Sequence, residues 1–320
     1  MKLSHFRDVL AVVEAGGLRA AGRQLGIAQP VITRSIKELE RELGVTIFER
    51  HAKGVRLTEM GKKFVHRVEA FQHQLRLARE EIEQLKGEYT GSVSVALSTA
   101  TCMSLLPQAL KTFTTRYPDV VVKISESLFQ PIENDLINGK FDFWVGPLDQ
   151  SSASTQFAVE TLFENDRRVV ARKGHPLASA RSLSELVDAS WVRPTLSTRN
   201  TEGDFYGMFE RAGLKPPKIT VHGRSSLVTV IAVANTDLLT ILPQQWLDFE
   251  PVANLLHTFD LIDPMNAAPM CIVRHQGLPL TPAADHFCDL IRKAAHNYAF
   301  AKQAEQTKLA EALKGVRGKS

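Results

Sequence analysis

Gln29, Thr33, Arg34, Lys37 and Arg41 share the outer side of a stretch whose inner side is Ile32, Ile36, Leu39 and Leu43. The apolar residues step by four, three and four, the repeat of one buried helical stripe. The polar side chains therefore face out together, with Gln29 and Pro30 at the helix start. Amide, hydroxyl and guanidinium donors presented by the first turns of a helix match the base edges of a DNA major groove. The chemistry on offer is recognition rather than bond making. A small helical subdomain with a solvated basic face is the competing reading.

Such a helix must be held by others. Leu18, Ala21 and Leu25 predict a short helix just before it, ended by Gly26, with Arg19 exposed in its first turn. Pro30 suits the opening turn of the second helix, where a missing N–H costs no hydrogen bond. Leu3, Phe6, Leu10 and Val13 predict a further helix packed behind the pair. After Gly44, β-forming residues flank Ala52-Lys53-Gly54, a hairpin whose tip carries Arg50, His51, Lys53 and Arg56. Three helices and a basic hairpin make a winged helix-turn-helix over residues 1–58. Residues 1–90 hold 16 Lys or Arg against 12 Asp or Glu, so the whole net charge of +4 lies in this segment. A localised basic excess suits phosphate contact.

Phe64, Val68, Phe71, Leu75, Ala78, Ile82 and Leu85 alternate steps of four and three. This is an a/d seam on a linker helix over residues 59–88, with Thr58 as N-cap and Gly87 as stop. It predicts pairing with a second copy, two recognition helices on a two-fold axis and a near-palindromic double-stranded operator. Packing against its own chain is the alternative.

From residue 91 strand and helix patterns alternate, which predicts an α/β sheet with crossover helices. The strands fall near residues 91–97, 120–124, 141–145, 161–171, 191–192, 219–221, 238–242 and 271–273. Helices fall near 105–117, 131–138, 182–187, 226–234 and 282–298. Residues 301–320 read as a frayed or disordered tail. No run of 18 apolar residues and no signal-peptide pattern appears, so the expected setting is cytoplasmic, with no membrane partner. Cys102, Cys271 and Cys288 are odd in number and unpaired in spacing, which suits reduced structural thiols. No Gly-x-Ser-x-Gly elbow, Walker loop, Gly-x-Gly-x-x-Gly or His-Glu-x-x-His is present, so an enzyme is not expected, nor a cofactor or metal. Ser98, Thr99 and Thr101 form the first strand-to-helix corner, where hydroxyls and N–H groups would suit a carboxylate or sulfonate. Ordinary N-capping is the bland explanation.

The N-terminal 90 residues resemble LysR-type transcriptional regulators. The resemblance rests on Ala20-Ala21, Leu25, Gln29-Pro30-Val31-Ile32-Thr33, Ile36, Leu39-Glu40, Leu43-Gly44, Leu57-Thr58 and Gly61. It continues through Leu106-Pro107, Tyr117 to Val120, Leu136 to Asp142, His175 to Ala178 and Leu239 to Pro243. It implies that Gln29, Pro30, Thr33, Arg34 and Lys53 meet DNA. Thr33 stands where the family more often has Ser, and Gly17-Leu18-Arg19 replaces a common Gly-Ser-Phe, so Arg19 gains a possible phosphate contact. Asn235-Thr236-Asp237 departs from the family's glycine pair.

The implied fold is an α/β chain with an all-α, winged-helix head. After the linker helix comes a two-lobed effector domain like periplasmic binding proteins over residues 91–300. Lobe I takes about 91–164 and 270–300, lobe II about 165–269. A small-molecule effector would sit between the lobes. By family position Ser127 and Phe129 line the first lobe, Trp144 the back, and Thr195, Ser197 and Ser226 the second lobe. Phe129 and Trp144 would bracket an aromatic ring, and Arg199 or Arg224 could pair with an anion. The resemblance also implies a dimer or homotetramer and contact with RNA polymerase. Leu18 to Ala21 and Glu80 to Leu85 are similar to a branch that includes a regulator of toluenesulfonate breakdown, which implies an aromatic or sulfonated effector. The alternative is a two-lobed solute-binding or catalytic protein whose head only dimerises.

Overall fold

Gly26 enters the left-handed backbone region (φ 66°) and lets the chain leave one short helix and start the next within three residues. This is the turn around which the first unit is built. The computed structural model describes residues 1–51, 54–194 and 201–317, and the chain divides into two compact units, residues 1–79 and 80–320.

In the first unit α1 (Leu3–Ala15), α2 (Leu18–Leu25) and α3 (Gln29–Leu43) surround Val9, Val12, Ala21, Ile32, Ile36, Leu39 and Ile47. Of the stripe expected on α1, Leu10 and Val13 pack partly buried against this core, whereas Leu3 and Phe6 lie outside it. His5, Asp8, Val9, Ala11 and Val12 are the buried residues of α1. Leu3 is exposed, and Phe6 meets Phe64 and Phe71 edge-on at 6.2 and 5.7 Å. Both faces of α1 are apolar enough to pack, so periodicity alone does not choose between them.

Strands β1 (Phe48–His51) and β2 (Gly54–Leu57) pair antiparallel, Phe48 opposite Leu57 and Arg50 opposite Val55. The Glu40 carboxylate fixes the approach to this hairpin by accepting from the amides of Ile47 and Phe48 at 2.7 and 3.1 Å. Helix α4 (Glu59–Leu85) starts beneath Thr58, whose Oγ1 accepts from the Gly61 amide at 2.9 Å. Gly61 lies so close to the Ile47 carbonyl that a Cβ there would collide with it. The α4 seam divides: Val68 is buried, whereas Phe71, Leu75, Ile82 and Leu85 are exposed.

The second unit begins at Glu80, whose carboxylate accepts from the Ser92 amide, and Gln84, which accepts from the Ala283 amide at 2.9 Å. Its elements in order are β3 (Gly91–Leu97), α5 (Thr99–Ser104), α6 (Leu106–Arg116), β4 (Val120–Glu126), α7 (Phe129–Ile137), β5 (Phe143–Pro147) and β6 (Phe157–Arg172). Then come β7 (Ser190–Pro194), α8 (Thr201–Arg211), β8 (Lys218–Gly223), α9 (Ser226–Ala234), β9 (Thr240–Pro243), α10 (Gln244–Leu247), α11 (Glu250–Ala253), β10 (Leu256–Thr258), β11 (Asn266–His275) and α12 (Pro282–Arg317). The last helix continues to residue 317. Helix α8 has no counterpart in the sequence reading, because Gly203 and Gly207 weaken its propensity; Phe205, Met208 and Phe209 hold it by burial.

Strand β3 pairs parallel with β4 and β5, and β11 pairs antiparallel with β5 and β6. Helices α6 and α12 cover one face of this sheet through Phe113, Phe287 and Ile291 against Val93, Val95, Leu97 and Phe143. Helix α7 covers the other through Phe129, Ile132 and Leu136. Strand β6 passes on into the second lobe, where residues from Arg167 onward pair with β9 and β10. There β7 and β8 run parallel. Trp191 and Phe209 lie in the core on one side of this lobe, Val192, Val230, Leu242 and Trp246 in that on the other. Ala100 of the first lobe belongs to that last cluster, so the lobes meet over packed side chains.

Candidate nucleic-acid interface and inter-lobe cleft

On α3 the structure brings Gln29, Pro30, Thr33, Arg34, Lys37 and Arg41 around one shallow concavity, with Glu38 among them. Burial of Ile32, Ser35, Ile36 and Leu39 on the opposite side turns these residues outward. Thr33 spends its hydroxyl proton on the Gln29 carbonyl at 3.0 Å, so toward solvent its oxygen offers only lone pairs. Arg34 donates through Nε to Glu38 at 2.8 Å, and that bond, ahead of all other influences, holds the Glu38 carboxyl below the usual range. Arg19 is exposed in the first turn of α2. Arg50 occupies the third position of β1, and Lys53 lies outside the described residues.

In the second unit a cavity of about 120 Å³ lies between the lobes. Ser98, Thr99, Ala100, Leu128 and Pro147 line it from the first lobe, and Arg167, Pro194, Phe205, Ile241, Leu242, Pro243 and Trp246 complete it. Ser98 and Thr99 of the predicted set therefore reach it. Thr101 lies beneath the corner, fully buried, its hydroxyl donating to the Val145 carbonyl at 3.0 Å. Ser98 caps α5 by accepting from the Thr101 amide, so the capping explanation and the cleft position hold together.

Phe129 and Trp144 are not among the lining residues, and their ring centroids are 5.4 Å apart. The bracketing expectation is corrected on that distance: the rings touch, and no third ring fits between them. The indole Nε1 of Trp144 donates to the Ser127 carbonyl at 2.9 Å, which fixes both residues in the first lobe. Ser226 stands at the rim rather than inside. Its hydroxyl donates to Glu126 at 2.8 Å and lies 2.8 Å from that of Thr99, and Thr99 also donates to Glu126. Thr195, Ser197 and Arg199 lie outside the described residues, and Arg224 is exposed.

Among the polar residues of the cleft, two escaped the sequence reading. Arg167 is a cation within a strand that crosses between lobes, and that placement was the available signal. Trp246 is 3% exposed, and its Nε1–H has no acceptor among the described residues. The cleft is thus an apolar chamber whose lining polar side chains, among the described residues, are Ser98, Thr99, Arg167 and Trp246. Burial pushes the Cys102 and Cys288 thiols up to about 11 and about 12, which disfavours a reactive thiolate. Among the described residues no group of three His, Cys, Asp or Glu side chains could hold a metal ion, and no helix is long and apolar enough to cross a membrane.

Residues 3–62 match the family model described as bacterial regulatory helix-turn-helix protein, lysR family, and residues 86–296 match the LysR substrate binding domain. The chain belongs to the LysR family. It is a DNA-binding transcriptional regulator with an effector-binding domain. Among curated relatives it is 27% identical to the regulator GbpR of Azospirillum brasilense over 75% of this chain and 71% of that one. It is 26% identical to GalR of Pseudomonas putida over 88% and 70%. The fold is similar to that of full-length CbnR complexed with its target DNA, with a TM-score of 0.68 and 19% identity over 92% of this chain and 100% of that one. It is also similar to a full-length OxyR variant from Pseudomonas aeruginosa, with a TM-score of 0.65 and 23% identity over 91% and 95%. In this LysR-family chain the two matched segments fall within the first and the second compact unit, respectively.

Proposed function

We propose that the effector of this regulator is a small anion with an apolar body, held in the inter-lobe cleft with its charged end toward Arg167 and the Trp246 Nε1–H. The observation that carries this is the lining itself: aliphatic, proline and aromatic walls with one cation and one buried donor lacking an acceptor. A buried donor without a partner costs about 1–3 kcal/mol, and a carboxylate or sulfonate oxygen would relieve it. A cavity of roughly 150 Å³ accepts benzene, so about 120 Å³ suits a single ring or a short chain. An effector can alter DNA binding only by preferring one degree of lobe closure to another.

The head binds operator DNA as a dimer, with Gln29, Pro30, Thr33, Arg34 and Lys37 facing base edges and Arg19, Arg50 and Lys53 facing phosphates. Exposure of Phe71, Leu75, Ile82 and Leu85 supports a second copy lying along α4. Further pairing of effector domains would give a tetramer. The protein acts in the cytoplasm and is not an enzyme.

Thermal stability against a panel of benzoates, aromatic sulfonates, amino acids and sugar acids tests the cleft reading. A ligand at 100 times its dissociation constant stabilises the native state by about 2.7 kcal/mol. The expected hits are small apolar acids, lost in Arg167→Ala. A hit that survives Arg167→Ala, or a preference for cations, would overturn the proposal.

A further inference from the structure

We propose that Glu38 is a positioning residue for base readout: its carboxylate holds Arg34 by Nε, so that both Nη groups of Arg34 face outward as a preformed fork for a guanine edge. This rests on the reading that Arg34 faces a base.

A guanidinium carries five N–H donors in one plane. Engaging Nε at 2.8 Å leaves the two Nη groups, and among the described residues nothing takes them. The Arg34 side chain is 82% exposed, so without a partner it would sample many rotamers. Glu38 is better anchored than Arg34. Its side chain is 34% exposed, and its second oxygen lies 3.8 Å from Nε2 of the buried His5 on α1. The bond therefore ties a mobile arm to a post backed by another helix. Guanine is the fitting target because its N7 and O6 accept two parallel N–H bonds from Arg.

The charge of Glu38 sharpens the argument. A carboxylate in the middle of a phosphate-facing surface opposes general DNA affinity. The two effects have opposite signs: Glu38 should lower affinity for any duplex and raise discrimination among duplexes. A purely structural role would give neither pattern.

The test enriches a randomised duplex pool on the full-length protein, then measures binding of the enriched duplex and each single-pair substitution at fixed salt. Arg34→Ala should reduce the preference for one G·C pair by about 5- to 150-fold. Glu38→Ala should reduce preference at that same pair by about 3- to 10-fold, with non-specific duplex bound as well as or better than by the wild type. Glu38→Gln, which keeps an acceptor, should retain most of the preference, and Glu38→Ala should add nothing in the Arg34→Ala background. Unchanged preference in Glu38→Ala, or equal weakening on every duplex, would overturn the positioning role while leaving Arg34 as a reader. Full base preference in Arg34→Ala would remove the reading beneath it, and the proposal with it.

Discussion

The hydroxyl of Tyr298 donates to Oδ2 of Asp248 at 2.5 Å, joining the last helix to the segment that follows α10. One turn on, Lys302 holds Oδ1 of the same carboxylate at 2.7 Å. Helix α12 packs on the first lobe and Asp248 belongs to the second, so the contact bridges them on α12.

Burial and then the bond to Asp248 push the Tyr298 hydroxyl above its ordinary 10.0. Partial burial, the largest influence on Lys302, lowers its value, but the bonds to Asp248 and Glu305 outweigh it and leave a net rise above 10.5. Both groups hold protons more tightly folded than unfolded. Their contribution is complete below the unfolded values and is lost as pH climbs through the raised ones. Urea unfolding from about pH 8 to about pH 11 should show stability falling near the top of that range, and falling less in Asp248→Asn. An identical fall in both proteins would show that the network does not titrate.

Glu40 accepts two backbone amides at the entry to the wing. Glu40→Ala should cost about 1.5–3 kcal/mol of stability, read by chemical denaturation. Its base preference should match that of the wild type at temperatures where the head remains folded.

Trp246→Phe keeps an aromatic ring in the cleft wall and deletes the donor that lacks an acceptor. Stability of the free protein should stay within about 1 kcal/mol of the wild type, because lost packing and the relieved donor offset. Affinity for any acid found in the cleft should fall about 3- to 10-fold by titration calorimetry.

Leu75→Glu places a charge in the exposed apolar row of α4. Sedimentation should show a smaller assembly than the wild type, with weaker operator binding. An unchanged sedimentation coefficient would place the subunit contact elsewhere.

Cys102 and Cys288 should resist alkylation near neutral pH, since burial keeps both thiols protonated. Mass spectrometry should find them modified only after denaturation; rapid labelling of Cys288 in the folded chain would contradict its burial.

The winged head was legible because its breaks are chemical. Gly26, Pro30 and Gly44 bracket two helices, and Ile32, Ile36 and Leu39 can only face inward. The α/β alternation was equally plain where strands are apolar runs, as at Val93 to Leu97. The cleft was less so. Ser98 and Thr99 could be placed because a strand end followed by a helix start is visible locally. Arg167 and Trp246 come together from residues nearly 80 apart; a cation within a long strand marks Arg167, but nothing near Trp246 marks the meeting. Phe129 and Trp144 were misplaced because aromatic character does not say which face of a sheet a ring occupies. Helix α8, with two glycines, exists through tertiary burial that no local pattern records.

Strand β6 changes partners within one step: Asp166 is opposite Asn266 of β11, and Arg167 is opposite Pro243 of β9. Beyond that point Val169 and Ala171 enter one core of the second lobe while Val170 enters the other. A strand alternates faces residue by residue. One residue inserted or deleted between Asn165 and Arg167 would therefore exchange those two sets, sending each side chain into the layer built for its neighbour. At the crossing the chain keeps count by twos, so an even change in length within the regular strand preserves the facing of both sets.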